Sequence, residues 1–148
     1  MPSENEMNCA TWLGIVSQLY STRMGQVLMR HEMTLGQFGI LNHLARRAEA
    51  APQRISDIAE AVEVNQPAVT KTIASFETLG FVDLTSDRKD RRAKLVKINA
   101  DGIAHLSKIH QSIAPEMAGM FSGFLSYEVD QLTDGLKKLA IWLDENRL

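Results

Sequence analysis

Between residues 55 and 98 the apolar residues change from helical spacing to strand spacing. In the first part they recur three and four positions apart, which predicts two short amphipathic helices in succession. The apolar residues are Ile55, Ile58, Ala59 and Val62 in the first helix, and Val69, Ile73, Phe76 and Leu79 in the second. Asn65 is placed to cap the second helix, Pro67 fits its first turn, and Gly80 is suited to end it. Two helices joined by so short a turn make a helix-turn-helix.

A charged hairpin is predicted directly after these helices. Residues 81–85 and 93–98 have the composition of short strands, and only the segment SDRKDRR lies between them. A connection of about seven residues is too long for a two-residue turn, so we expect its tip to project as a mobile loop unless something holds it. Pairing of Asp90 with Arg92 across the loop would supply such a hold.

This hairpin concentrates the positive charge of an otherwise acidic chain. The whole sequence has 16 Lys and Arg against 18 Asp and Glu, a net charge of -2. Residues 87–97 contain six of those cations and two of those acids, so they carry +4 and the remainder carries -6. A dispersed run of charge is usually a solvated surface. A cationic block in an anionic background is typical of proteins that bind polyphosphates, and nucleic acid is the commonest of these.

The face of the second helix opposite its apolar residues is small and able to form hydrogen bonds. It carries Pro67, Lys71, Ala74 and Thr78, with Gln66 and Thr70 beside them. Such a face fits a DNA major groove, where Gln66, Thr70 and Lys71 can reach base edges or phosphates. The helix alone is equally consistent with a solvated surface. A basic hairpin that follows at once favours DNA, because the two elements address adjacent grooves of one duplex.

The run from Ile55 to Gly102 resembles the winged helix-turn-helix of the MarR (multiple antibiotic resistance regulator) family of bacterial regulators. The order of elements, the sequence LGFV and the wing rich in Asp and Arg all match. The family pattern Asp-x-Arg-x-x-Arg reads here as Asp87, Lys89 and Arg92, so the middle Arg has become Lys, which keeps the charge but weakens bidentate contact. The resemblance implies that Arg92 or its neighbour Arg91 enters the minor groove and that Asp90 orients the wing.

From the pattern and the resemblance together we predict one set of DNA-binding residues. They are Gln66, Pro67, Thr70, Lys71, Arg88, Lys89, Asp90, Arg91, Arg92 and Lys94.

Long helical patterns flank this lobe on both sides. Residues 7–33 predict one long helix, Thr34 is placed to cap the next, and residues 100–121 and 126–146 predict two more. In the last helix the apolar residues alternate spacings of three and four, a heptad pattern that indicates burial against another helix. We assign dimerisation to Leu13 and to this heptad set, Val129, Leu132, Leu136, Leu139 and Leu143. Packing within one chain is the alternative, whereas the resemblance implies a second copy of the chain.

The predicted fold is therefore mainly α. It consists of a winged helix-turn-helix with a small antiparallel β-hairpin wing, and of long N- and C-terminal dimerisation helices. We expect a single regulator unit, 1–148, with a DNA-binding lobe at 34–99 and a helical dimerisation region at 7–33 and 100–148.

Other kinds of site find little support in the sequence. Cys9 is the single cysteine, so it cannot pair within the chain. His105 and His110 lie five residues apart, which is poor spacing for a metal site on one helical face. Phosphate-binding glycine loops, nucleophile elbows and paired carboxylates are absent, so we expect no catalytic residues, no metal and no cofactor. The N-terminus lacks a secretory pattern and no stretch reaches membrane-spanning length, so we expect a cytoplasmic protein with no membrane partner.

These features predict a homodimeric transcriptional regulator that binds double-stranded DNA in a sequence-specific manner. The resemblance further implies a repressor that is released from a palindromic operator by a small organic effector ligand. The leading alternative is a winged-helix protein-interaction module that binds no DNA. An enzyme that processes a ligand is a third reading, with no catalytic motif to support it.

Overall fold

The computed structural model describes residues 1–148, which form six helices and three short strands. The elements in chain order are α1 (Glu4–Met29), α2 (Leu35–Arg46), β1 (Gln53–Arg54), α3 (Ile55–Val62), α4 (Gln66–Thr78), β2 (Val82–Ser86), β3 (Lys94–Ile98), α5 (Ala100–Met120) and α6 (Ser126–Glu145). The predicted fold class, mainly α with a winged helix-turn-helix, is confirmed. None of the six helices combines the length and the apolar character that crossing a membrane requires.

The chain divides into two compact units, Met1–Ser112 and Ile113–Leu148. The first unit contains α1 to α4, the strands and the first part of α5. The second contains the end of α5 and all of α6. The predicted division at residues 34 and 99 stays a prediction about function, since it separates DNA binding from dimerisation rather than one compact unit from another.

The sheet has one strand more than the sequence predicts. Strands β2 and β3 form the expected antiparallel hairpin, with Val82 opposite Ile98 and Ser86 opposite Lys94. The two-residue strand β1 pairs antiparallel with the other edge of β3, where Arg54 lies opposite Leu95. Two residues are too short a run to show any alternation in the sequence, so β1 could not be predicted.

Side-chain caps set the start of several helices. Ser3 and Glu6 form a capping box, in which the Glu6 carboxylate accepts the Ser3 N–H at 2.6 Å and the Ser3 hydroxyl accepts the Glu6 N–H at 3.2 Å. This box starts α1 at Glu4, earlier than the predicted residue 7. Asn65 caps α4 as predicted, with its Oδ1 2.9 Å from the N of Ala68.

Helices α1, α3 and α4 end in the same type of turn, with a residue in the left-handed region. These residues are Glu32 (φ 53°), Glu63 (φ 55°) and Gly80 (φ 78°). In each case the next N–H donates to the carbonyl five residues earlier, from Met33 to Leu28, from Val64 to Ala59 and from Phe81 to Phe76. This is the Schellman motif. The sequence indicated it only at Gly80, because glutamate is not a residue that usually adopts positive φ.

The core of the first unit is built from apolar side chains of its helices and of strands β2 and β3. Helix α3 packs on α4, α2 packs on α1 and α3, and α4 packs on β2. The most deeply buried side chains include Met24, Leu28, Ile40, Leu41, Ile58, Val69, Ile73, Phe76, Val96 and Ile109. The helix-turn-helix and the wing are thus held by one continuous apolar core.

Asn99 joins the wing to the start of α5. Its Oδ1 accepts the N–H of Gly102 at 3.0 Å, and its Nδ2 donates to the carbonyl of Gly80 at 2.9 Å. One side chain therefore caps α5 and ties it to the turn that ends α4. This contact fixes where the wing strands leave the helix-turn-helix.

Candidate nucleic-acid interface

The buried face of α4 is close to the predicted one and differs at a single residue. Val69, Ile73 and Phe76 are at most 2% exposed. The prediction that Leu79 is buried with them is wrong, because Leu79 is 58% exposed. The reason is the turn at Gly80, which brings Phe81 back towards the helix, with its ring centroid 6.3 Å from that of Phe76. Phe81 thus packs beside Phe76, and Leu79 remains at the surface.

The opposite face of α4 is exposed over its first two turns. Gln66, Pro67, Thr70 and Lys71 are all exposed there, so the structure brings these four predicted residues together. The Thr70 hydroxyl donates to the carbonyl of Gln66 at 2.9 Å, which leaves its lone pairs free to accept. This surface lies at the positive end of the helix dipole and contains one cation and no acid.

The tip of the wing is closed by hydrogen bonds. The N–H of Asp87 donates to the carbonyl of Ala93 at 3.0 Å, and the N–H of Ala93 donates to the carbonyl of Asp90 at 3.0 Å. The carboxylate of Asp87 accepts the N–H of Lys89 at 2.9 Å, and that of Asp90 accepts the N–H of Arg92 at 3.0 Å. The predicted pairing of Asp90 with Arg92 across the loop is therefore present, but it uses the backbone N–H of Arg92 and not the guanidinium. Asp90 holds the loop through the backbone of Arg92, a turn that aspartate forms readily.

A residue that the sequence did not single out holds the base of the wing. The Arg54 guanidinium donates from Nε and Nη2 to Oδ2 of Asp87, at 2.8 and 2.5 Å. Hydrogen bonds from the Lys89 backbone and from Arg54 lower the pKa of Asp87, and the bond to Asp87 raises the pKa of Arg54. Arg54 was missed because it lies 33 residues before Asp87 and follows no periodic pattern.

The cations at the tip of the wing remain without ion pairs. Both acids of the wing accept hydrogen bonds within the protein. Asp87 accepts them from the Arg54 guanidinium and the Lys89 backbone N–H, and Asp90 accepts one from the Arg92 backbone N–H. The exposed cations are Arg88, Lys89, Arg91 and Arg92, with Lys94 and Lys97 exposed along β3. Their charge is therefore available to an anionic partner.

A groove of about 350 Å³ lies between the start of α2 and α4. Its lining includes Lys71 with hydroxyl and amide groups, and the full set is Thr34, Gly36, Gln37, Ile40, Val64, Ala68, Lys71, Thr72 and Ser75. The groove thus adjoins the exposed face of α4 and shares one of its residues, Lys71.

Each of the four histidines contacts other side chains, and the rings of His31 and His105 lie edge to face with centroids 6.4 Å apart. His31 lies 2.8 Å from the hydroxyl of Ser112, His43 lies 2.7 Å from Oε1 of Gln53, and His110 lies 3.1 Å from Oδ1 of Asn42. His105 stacks on the ring of Phe81, with centroids 4.4 Å apart. No three His, Cys, Asp or Glu side chains are grouped as metal ligands would be, and Cys9 is exposed.

The residues predicted for dimerisation lie at the surface in both units. Leu13 on α1 is 39% exposed, and α6 has no buried residue. Within α6, Val129 is half-buried, and Leu132, Leu136, Leu139 and Leu143 are between 41% and 58% exposed. The heptad residues therefore form a partly exposed apolar stripe along α6.

The lobe that holds this interface matches a known family. Residues 31–93 match the model of the MarR family, so the resemblance is confirmed. The chain also has the fold of solved MarR-family structures. AbsC, a MarR family transcriptional regulator from Streptomyces coelicolor, is 18% identical, with a TM-score of 0.76 over 99% of each chain. The transcriptional regulator BldR from Sulfolobus solfataricus is 21% identical, with a TM-score of 0.77 over 95% of this chain and 98% of its own.

A third similar structure was solved with DNA. It is a mutant of MarR from E. coli complexed with operator DNA, 21% identical to this chain, with a TM-score of 0.72. The match covers 94% of this chain and 99% of that one. At these identities the likeness concerns the fold.

Proposed function

We propose, from the MarR-family character of residues 31–93, that this chain is a transcriptional regulator that binds double-stranded DNA in a sequence-specific manner as a homodimer. One observation carries the proposal. Four cations without ion pairs lie at the tip of the wing, in the same compact unit as the exposed hydrogen-bonding face of α4.

Each part of this surface suits a different part of a duplex. The first turns of α4 present Gln66, Thr70 and Lys71 to the major groove, where amide and hydroxyl groups can read base edges. The wing presents Arg91 and Arg92 to the minor groove and to phosphates, where guanidinium groups bind well. The Asp87 carboxylate does not oppose this, because it is paired with the Arg54 guanidinium within the protein.

The homodimer is supported by the partly exposed apolar stripe of α6. Exposed apolar area costs about 25 cal/mol per Å² relative to burial, and four leucines of the stripe are at least 41% exposed. A second copy would cover the stripe with an identical one, as in other symmetric dimers. A two-fold symmetric protein then fits a palindromic operator, with one helix-turn-helix in each half-site.

Repression relieved by a small organic ligand is the finer part of the proposal. The groove between α2 and α4 supports it, because a ligand there would contact Lys71 and compete with DNA for that side chain. A ligand that binds the free protein better than the DNA-bound protein shifts the population towards release. No chemical step is required of the protein.

The proposal is tested by selecting bound fragments from a pool of genomic DNA. We expect a palindromic sequence to be enriched, and the affinity for it to fall steeply as salt is raised, by a slope of ~0.9 for each phosphate neutralised. The same fragments placed before a reporter gene then separate repression from activation. Retention of no specific sequence would favour the winged-helix protein-interaction module instead.

A further inference from the structure

We infer that Arg54 is a positioning residue for the wing: its guanidinium fixes the base of the loop and so directs the cations of the tip. The inference rests on the proposed DNA binding, in which the wing enters the minor groove. Arg54 is not one of the residues predicted to touch DNA. It acts through Asp87.

Arg54 is itself held on two sides by backbone contacts. It lies in β1, where it faces Leu95 of β3 across the sheet. Its N–H donates to Oδ2 of Asp57, in the first turn of α3, at 3.3 Å. The backbone of Arg54 is therefore fixed to the sheet and to the first helix of the helix-turn-helix. A side chain that starts from this point has a rigid anchor.

Asp87 is the point where the wing leaves the sheet. It follows Ser86, the last residue of β2, and its N–H closes the loop by donating to the carbonyl of Ala93. Its Oδ2 accepts both bonds from Arg54, and its Oδ1 accepts the N–H of Lys89. Arg54 therefore holds, by two hydrogen bonds, the carboxylate that also accepts the N–H in the first turn of the tip. Loss of these bonds would allow the loop to change its orientation relative to the two strands.

The pair also matters for where the positive charge lies. The Asp87 carboxylate is next to Arg88 in the sequence, and in the structure it pairs with Arg54 of β1 instead. Without Arg54, the carboxylate would be free to pair with a cation of the tip, and it would both lower the charge of the tip and bend it. The Arg54 guanidinium prevents this by offering two donors in a fixed geometry.

The Arg54 side chain does not contribute to the apolar core, so its role in positioning the wing can be tested by substitution. The Arg54 side chain is 39% exposed, and it is not among the buried residues of the unit. Partly exposed ion pairs contribute little to global stability, so Arg54→Ala is expected to fold. Its effect should be confined to the wing.

The first arm of the test uses the free protein. Hydrogen exchange of the backbone amides is compared in wild type, Arg54→Ala and Asp87→Asn, with Arg46→Ala as a control that removes an exposed cation outside the wing. We expect the Lys89 and Arg92 amides to exchange about fivefold faster in Arg54→Ala and Asp87→Asn than in wild type. The exchange rates of the α4 amides should be unchanged. Arg46→Ala should resemble wild type. Unchanged exchange in Arg54→Ala would overturn the inference, whether or not the protein binds DNA.

The second arm measures binding to the selected operator and to random DNA. Arg54→Ala should lose about fivefold in operator affinity and much less on random DNA, so the specificity ratio falls. Arg54→Lys keeps the charge and loses the two-donor grip, so it should also lose specificity. Asp87→Asn adds a net positive charge and should nevertheless weaken operator binding. The two single losses should not add in the Arg54→Ala/Asp87→Asn double variant.

Two results separate the possible failures. Tighter operator binding by Asp87→Asn, or additive losses in the double variant, would overturn the role of Arg54 while DNA binding stands. Absence of any DNA binding by wild type would overturn the proposed function, and the exchange measurement would still decide whether Arg54 orders the wing.

Discussion

Gly102 lies directly beneath the carbonyl group of Phe81. A Cβ atom at residue 102 would stand 2.3 Å from that oxygen and 2.7 Å from Cγ1 of Ile98. The first turn of α5 therefore approaches the start of the wing more closely than any residue with a side chain permits. The obstacle is backbone, which cannot rotate away as a flexible side chain could.

We accordingly expect Gly102→Ala to lower the free energy of unfolding by about 1–3 kcal/mol, because the helix must move away from Phe81. Gly119→Ala, on the same helix with nothing within 4 Å of its added Cβ, is the matched control. It should raise the free energy of unfolding by ~0.5–1 kcal/mol, since alanine is the better helix former. Urea denaturation measures both. Equal effects of the two substitutions would contradict the close approach.

Asp90→Ala tests whether the wing works as a positioned element or as undirected charge. The change adds one net positive charge but removes the carboxylate that accepts the Arg92 N–H. We expect operator affinity to fall about fivefold at physiological salt, because the turn that directs the tip is lost. Glu49→Ala, which adds the same charge at an exposed position outside the wing, should not weaken binding. Fluorescence anisotropy titrations measure the operator affinity of the three proteins. Tighter binding by Asp90→Ala would indicate that the wing acts only through its undirected charge.

The cations of the wing and of the strand should differ in their contribution to specificity. Arg92 lies in the tip and can enter a minor groove, whereas Lys94 lies on β3, where it can at most reach a phosphate. Arg92→Ala should cost about tenfold in operator affinity and less on random DNA. Lys94→Ala should weaken binding to all sequences alike and reduce the salt slope by ~0.9. Salt titrations on both kinds of DNA distinguish the two, and equal specificity losses would refute the distinction.

A charge in the α6 stripe should disrupt the proposed dimer. Leu136 lies within the stripe. Ile141 is also a large, exposed apolar residue, but it lies about 140° around the helix from Leu136. Leu136→Lys should raise the dimer dissociation constant by at least about tenfold, because a buried lysine lacks a partner. Ile141→Lys should leave the dimer intact. Sedimentation equilibrium measures both constants, and a stable Leu136→Lys dimer would place the interface elsewhere.

His105 should make the stability of the protein depend on pH. Burial lowers the pKa of His105, and His31 and Lys108 lower it further. The unfolded chain then binds a proton more readily than the folded one, so stability is highest above the ordinary histidine pKa of about 6.5 and falls as pH drops through the lowered pKa. His105→Phe keeps a ring on Phe81 and should reduce this loss. His110→Gln, on the same helix, is the control and should lose as much stability at low pH as wild type. Thermal melts between pH 7.5 and about 5 compare the three proteins.

The sequence by itself determined those helices and strands that are set by residues close to one another in the chain. The helical spacing of Val69, Ile73 and Phe76 is a local pattern, and Asn65 caps α4 through a contact three residues away. The strand spacing and the charge of the wing are equally local. These features place the helix-turn-helix, the hairpin and the exposed face of α4 before any tertiary contact is known.

Tertiary structure decided what joins those elements. Arg54 meets Asp87 across 33 residues, and Gly102 fits beneath Phe81 only when α5 packs at the base of the wing. The left-handed turn at Glu63 is also set by its surroundings, since glutamate has no local preference for positive φ. Contacts between distant residues leave no period in the sequence, because the chain brings them together only after its helices and strands have packed. The identity of the cations could therefore be read from the sequence, whereas the direction in which the wing presents them was set by the fold.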